Sequence, residues 1–378
     1  MDPQLFFRLH DAAGVPAPFW FVELFKVLGF TLHMVPMNLF YAGTLVAMLL
    51  GLAHAPQGRR FSARLMSQTP VIVALGVNFG IVPLLFMQVA YNKAFYPATI
   101  LMAWFWMGVI ALLIPAYYGI YVYAFGLRGK TPLAGWRRGV GWLSAILFVA
   151  IGFVFANALS LMTRVGQWPQ LLEDHGSAGA ALGTALNTSD PTFWPRWLLM
   201  FGLALGTTAV WMLVDAAWLA GKESDDYRCW AKQFATRLYV LSFAWTAAAG
   251  TWYVFGTWRQ DVFKSMFSWP ALPLTGLTAA APGLLLAFLV WRRKEPLLDR
   301  RQTAWLGLAQ FGVLAVNAIS RQVVQNLELG PYLNVATQPT AVQWSPLLAF
   351  LALLVVGLGV VAWMVLQVVK AERGIRPS

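Results

Sequence analysis

Nine long apolar stretches constrain this chain more than any other feature of its 378 residues. A helix needs about 20 apolar residues to cross the hydrocarbon core of a bilayer, and each stretch reaches or approaches that length. Charged residues make up only 11% of the chain, against roughly 25% in soluble globular proteins. The sequence therefore predicts an all-α integral membrane protein with one transmembrane helical domain over residues 1–378. The expected spans are 19–53, 66–91, 97–125, 140–163, 197–220, 238–257, 271–291, 303–320 and 345–369.

Basic residues are concentrated in alternate connections and in the C-terminal tail, which hold 19 of the 27 lysines and arginines. Examples are Arg59, Arg60 and Arg64 before the second span, and Arg292 and Arg293 after the seventh. The positive-inside rule makes this side cytoplasmic and predicts nine spans, with the N-terminus outside and the C-terminus inside. The net charge of +12 then reflects topology and contact with anionic lipid, and no nucleic-acid partner is expected.

Few residues inside the spans can support chemistry. His33 is the strongest candidate, because it lies about 14 residues into the first span, about 20 Å along the helix axis. A neutral imidazole at that depth either ligates haem iron or donates a hydrogen bond to a neighbouring helix. Met37 is a candidate second ligand, although a methionine is more often core filler. Cys229 is the only cysteine, which excludes a c-type haem attachment motif and a disulfide framework.

Four further polar residues lie near the ends of spans. Arg321 and Gln322 follow the eighth expected span on the outer side, where a guanidinium could hold a haem propionate, a quinone oxygen or a backbone carbonyl. Asp215 lies about two turns from the inner end of the fifth span and either pairs with a basic loop residue, the favoured interpretation, or serves proton uptake. His54 lies beside Arg59 and is expected to be a solvated interfacial residue.

These residues resemble a known family. The run LHMVPMNLFYAGTLVAMLL resembles the first span of subunit I of cytochrome bd quinol oxidases, with His33 at the position of a haem-binding histidine. The run LGVNFGIVPLLFMQVAY is similar to that family's second span, and AISRQVV is similar to its Gly-Arg-Gln-Pro-Trp signature, of which Arg321 and Gln322 remain. A nearer likeness is to bacterial bd-like membrane proteins that occur with multihaem c-type cytochromes. It rests on LSLMTRVGQWPQLL, LNTSDPTFWPRWL and GPYLNVATQPTAVQW.

The departures from the oxidase pattern limit what the resemblance implies. The third span lacks the two glutamates of the oxidases, and Leu199 or Met200 stands where the bd-like proteins have a fifth-span histidine. The methionine opposite that histidine is missing from the seventh span, and the quinol-binding loop shrinks to about a dozen residues. We therefore do not expect this chain to reduce dioxygen by itself.

The resemblance implies a multi-pass subunit of an electron-transfer complex in the bacterial inner membrane. It would anchor other subunits, among them a periplasmic cytochrome c, and it would hold one haem b or contact quinone. The expected cofactor-binding residues are His33, Met37, Arg321 and Gln322, with His33 as the iron ligand. The alternative is a transporter or channel subunit without a redox cofactor, against which stand the missing internal repeat and the few charges at mid-membrane depth.

Overall fold

The computed structural model describes residues 14–129 and 133–374, and its main elements are helices. The thirteen α-helices are α1 Phe19–Asn38, α2 Thr44–Gly51, α3 Pro56–Ala90, α4 Asn92–Leu101, α5 Ala103–Leu127, α6 Gly135–Thr163, α7 Trp168–Asp174, α8 Phe193–Val214, α9 Asp225–Thr257, α10 Gln260–Met266, α11 Leu272–Trp291, α12 Arg300–Leu329 and α13 Trp344–Gly374. The π-helical segments Leu39–Gly43 and Asp215–Leu219 join α1 to α2 and continue α8. A hairpin of two short strands, β1 Gly176–Ser177 and β2 Ala180–Ala181, lies between α7 and α8.

Within the described residues, eight helical segments are long and apolar enough to cross a membrane. They are Phe19–Gly51, Pro56–Ala90, Ala103–Leu127, Gly135–Thr163, Phe193–Leu219, Asp225–Thr257, Leu272–Lys294 and Arg300–Leu329. The ninth expected span corresponds to α13, whose apolar portion Trp344–Val360 is shorter than these eight. The prediction of an all-α, multi-pass membrane protein is thus confirmed, while the count of nine spans stays a prediction.

Three helices extend well beyond their expected spans. Helix α3 begins ten residues before the predicted position 66, and α9 begins thirteen residues before position 238. Both extensions are rich in charged residues, so hydropathy does not detect them although the helix continues. Helix α12 runs to Leu329 instead of ending at position 320, which places Arg321 and Gln322 inside a helix rather than after one.

The third expected span is wrong at its start. Residues 97–101 belong to α4, and the helix is interrupted at Met102 before α5 begins. A distant loop supplies the physical reason, because the Ala185 amide donates to the Leu101 carbonyl at 2.9 Å and the Trp104 amide donates to the Gly183 carbonyl at 3.1 Å. These bonds satisfy backbone groups that a continuous helix would have paired internally.

Contacts at the helix ends show that successive long helices run in opposite directions. Glu23, near the start of α1, contacts Tyr91, which directly follows α3. Arg196, in the first turn of α8, pairs with Glu328, in the last turn of α12. We call the side of the bundle where α1 begins the first end. At the opposite side, the second end, Arg64 near the start of α3 meets the segment that follows α8.

The second end holds a closed cluster of charges around Asp215. The Arg64 guanidinium donates two hydrogen bonds of 2.8 Å to the two Asp215 carboxylate oxygens. Arg64 also donates to Glu223 at 3.2 Å, Tyr227 donates to Asp215 at 3.3 Å, and Arg60 pairs with Glu223. The predicted pairing of Asp215 with a basic residue is confirmed. It joins α3 to the ends of α8 and α9.

Candidate functional site

A cavity between α1, α3, α5, α6 and α12 brings together three of the four expected cofactor-binding residues. Its cavity volume is about 80 Å³. We call it the His33 cavity. Its polar lining residues are Lys26, His33, Arg321, Gln322 and Gln325. Phe30, Phe95, Trp106 and Phe155 give it aromatic walls, so a planar apolar ligand with a polar edge suits its composition.

His33 is held in one orientation by α3. Its Nδ1 lies 2.7 Å from the carbonyl oxygen of Gly76. A carbonyl only accepts hydrogen bonds, so Nδ1 carries the proton and Nε2 keeps its lone pair. An imidazole whose other nitrogen donates to a backbone carbonyl is the arrangement found in many metal-ligating histidines. His33 thus has a nitrogen that can bind iron or accept a hydrogen bond.

Two glycines of α3 allow this close approach of α1. Gly76 and Gly80 are one turn apart and share a helix face. A methyl group at Gly80 would lie 2.9 Å from both Cε1 and Nδ1 of His33, and one at Gly76 would lie 2.4 Å from the Phe40 ring. Only glycine at position 80 leaves room for the imidazole in its present place.

Lys26, which the sequence reading did not single out, lies in the same cavity one to two turns from His33 along α1. Only 3% of Lys26 is exposed, and its Nζ makes no hydrogen bond. The ammonium lies 3.8 Å from Glu23 Oε1 and 3.7 Å above the centre of the Tyr91 ring. The pair Glu23 and Lys26, three residues apart in an apolar run, is the signal that could have revealed it.

A hydrogen-bond network fixes the wall formed by α12. Gln322 Nε2 donates to the Tyr91 hydroxyl oxygen at 2.8 Å and to Asn326 Oδ1 at 3.0 Å. The Tyr91 hydroxyl lies 2.5 Å from Glu23 Oε1 and 2.6 Å from Asn326 Oδ1, so two acceptors share its proton. Gln322 therefore positions α12 against α1 and α3, and its amide nitrogen is already engaged.

Arg321 differs from its neighbours because no acidic partner faces it. Its guanidinium stacks over the Phe30 ring at 4.5 Å, and among the described residues it forms no ion pair. Arg321 also lines a second, larger cavity between α8, α9, α11 and α12, with a volume of about 420 Å³. We call this the α9–α11 cavity. The side chain of Arg321 thus forms part of the boundary of both cavities.

Residues of α8 and α11 line the α9–α11 cavity. Leu199 and Met200 line it from α8, and Thr278, Ala279 and Pro282 line it from α11. Its described lining contains no histidine, so the imidazole ligand that a low-spin haem needs is not supplied here. These residues do not fit a haem, but they suit an apolar ligand.

A layer of buried ion pairs closes the first end above both cavities. Arg196 Nη2 lies 3.0 Å from Glu328 and donates to the Tyr253 hydroxyl oxygen at 2.8 Å. Arg164 Nε lies 2.8 Å from Asp190, and Arg164 Nη2 lies 3.3 Å from Glu328. Each of these four charged side chains has a partner of opposite charge, so the layer is a structural seal.

The remaining candidates lie elsewhere. Met37 does not line the His33 cavity, and its side chain packs against the main hydrophobic core. Met87 is the methionine that lines the cavity. His54 is exposed, as expected, and lies between α2 and α3. Within the described residues no group of three or more histidine, cysteine, aspartate or glutamate side chains could hold a metal ion.

Comparison with protein-family models and with curated proteins gives no match for this chain. Its function must therefore be argued from the geometry of its own residues.

Proposed function

We propose that this chain is an integral membrane subunit of a bacterial electron-transfer complex, in which the His33 cavity holds one haem b. One observation carries the proposal: a histidine with a free Nε2 shares an aromatic-walled cavity with two cations, the buried Lys26 and the half-buried Arg321. A haem b needs an axial ligand such as an imidazole, apolar surroundings for the porphyrin and polar partners for its propionates. When bound, it would supply one-electron redox chemistry to the complex.

Each residue would have a distinct role toward the haem. His33 Nε2 would hold the iron, and the Gly76 carbonyl would keep the ring in place and increase its basicity. Arg321 would face a propionate, and Gln322 would position α12 through its bonds to Tyr91. Met87 replaces Met37 as the methionine available on the cavity wall.

The first end of the bundle would dock the partner subunit. Under the positive-inside rule, the basic connections at the second end face the cytoplasm, which places the His33 cavity in the periplasmic half. A periplasmic cytochrome c bound at the first end would then lie on the same side as the haem.

An absorption spectrum of the purified chain tests the haem proposal. We expect a b-type signal after dithionite reduction that is lost in His33→Ala and kept in His54→Ala. His54 is the matched control because it is an exposed histidine outside the cavity. A chain that folds and associates with its partners but shows no haem signal would contradict the proposal.

A quinone contact is a second candidate, favoured by the α9–α11 cavity. Its walls are largely apolar, and Asn317, Ser320 and Arg321 supply polar groups along α12. An isoprenoid tail with a carbonyl-bearing ring suits that composition. Binding of a quinone analogue that Asn317→Leu and Arg321→Met weaken would support this contact, and binding that both variants leave unchanged would argue against it.

A further inference from the structure

The His33 cavity contains hydrogen-bond donors that lack acceptors. The Nζ of Lys26 and the Nε2 of Gln325 are both buried without a hydrogen bond, and the two residues are 3% and 6% exposed. Arg321 lies one turn before Gln325 on the same face of α12 and forms no ion pair among the described residues. Buried donors are normally satisfied, because a donor buried without an acceptor loses its hydrogen bond to water. A ligand with acceptor oxygens would satisfy all three.

The charges around the cavity indicate the sign of that ligand. Four buried or largely buried cations occupy this part of the bundle, Lys26, Arg164, Arg196 and Arg321. Three acidic side chains face them, Glu23, Asp190 and Glu328. The ion pairs among these side chains leave Arg321 without an acidic partner in the described residues, so one positive charge is uncompensated. Neutralising this charge requires a single negative charge.

We infer that the His33 cavity binds a carboxylate group, with Lys26, Arg321 and Gln325 as its hydrogen-bond donors. The inference rests on the proposed function for the location of the ligand, and it adds Gln325 as a donor and the chemical class of the bound group. A carboxylate matches one uncompensated charge better than a doubly charged phosphate does. The aromatic walls further require that the group be carried by an amphiphilic molecule. Two sources share this chemistry, a haem propionate and a free fatty acid.

Comparing each free acid with its methyl ester isolates the contribution of the carboxylate to binding. The full chain, purified in detergent micelles, would be titrated with hemin and with hemin dimethyl ester, and in parallel with oleate and methyl oleate. We expect hemin to bind roughly tenfold more tightly than its diester, a difference of about 1.4 kcal/mol, because hydrogen bonds to a charged acceptor are stronger than bonds to a neutral ester. In Lys26→Met that preference should fall toward one, and in Gln325→Leu it should fall by a smaller factor.

Lys93→Met is the matched control, since Lys93 follows α3 at the same end of the bundle but does not line the cavity. It should keep the full preference for the free acid. Elution as a single species and an unchanged helical circular dichroism spectrum would show that each variant is folded.

The outcomes distinguish this inference from the haem proposal. Equal binding of acid and ester in both ligand pairs would overturn the carboxylate site, as would a preference that neither Lys26→Met nor Gln325→Leu reduces. A His33-dependent haem spectrum with equal binding of hemin and its diester would leave the haem proposal standing alone. A Lys26-dependent preference for oleate without any haem spectrum would leave the carboxylate site standing alone.

Discussion

The two ends of the bundle treat buried charge in opposite ways. At the second end, Arg64 and Asp215 form a bidentate pair, and Glu223, Tyr227 and Gln68 make further hydrogen bonds to it. In the His33 cavity, Lys26 and Gln325 keep donors without acceptors. A closed cluster leaves its charges compensated, whereas an open one costs free energy until something binds. This difference in hydrogen bonding distinguishes the second end, as a structural site, from the His33 cavity, as a ligand site. The distinction needs no comparison with a related protein.

The largest effect should come from opening the closed cluster. Asp215→Ala leaves Arg64 with only Glu223 as a partner, and breaking a buried pair on one side costs about 3 kcal/mol or more. We expect the free energy of unfolding in micelles to fall by about that amount. The double variant Arg64→Met with Asp215→Leu is the control, because it removes both charges and should recover most of the loss. A single variant as stable as the unchanged chain would show that the cluster contributes nothing.

A smaller effect should come from filling the space beside His33. In Gly80→Ala the new methyl group would lie 2.9 Å from the imidazole, so the ring must shift and its bond to Gly76 is disrupted. We expect a loss of about 1–2 kcal/mol in the free energy of unfolding and a weakened haem signal. Gly108→Ala in α5 is the control, since a methyl group there meets nothing within 4 Å. Equal spectra for the two variants would contradict the role given to Gly80.

Removing a buried donor that has no acceptor should increase the stability of the ligand-free chain. Gln325→Leu replaces a buried amide whose nitrogen has no acceptor, so the ligand-free chain should become more stable by about 1 kcal/mol. Gln322→Leu makes the same change one turn away, but it removes bonds to Tyr91 and Asn326 and should lower stability. Thermal unfolding of both variants without ligand measures this contrast. If both variants lose stability, the Gln325 amide nitrogen has a hydrogen-bond acceptor in the ligand-free chain. The His33 cavity would then hold no unpaired donor at that position.

Hydropathy predicted the transmembrane architecture but not the composition of the cavity. Apolar runs predict eight helices because a helix that crosses a bilayer must be apolar. The pairing of Asp215 could also be predicted, because few acidic side chains lie at its depth. Gln325 and Glu328 were missed because the eighth span was ended at position 320, where polar residues begin. Helix α12 continues there because its polar side chains find partners in Tyr91, which follows α3, and in Arg196 of α8. Such pairing is a property of tertiary contacts, which a single-sequence hydropathy pattern does not contain.

The smallest effect should come from the exposed pair Arg259 and Asp261, which lies outside the spans beside α10. The hydrogen bond from Arg259 holds the pKa of Asp261 below its usual range. A lowered folded-state pKa means that any stabilisation is present above the unfolded-state pKa and is lost as the pH falls through the folded-state value. Because both side chains are exposed, solvent screens the pair, and Asp261→Asn should change the free energy of unfolding by less than about 0.5 kcal/mol at pH 7. Thermal unfolding at pH 7 and under acid conditions, compared with Asp215→Ala, measures this. A loss as large as that of Asp215→Ala would mean that burial does not set the difference between paired charges in this protein.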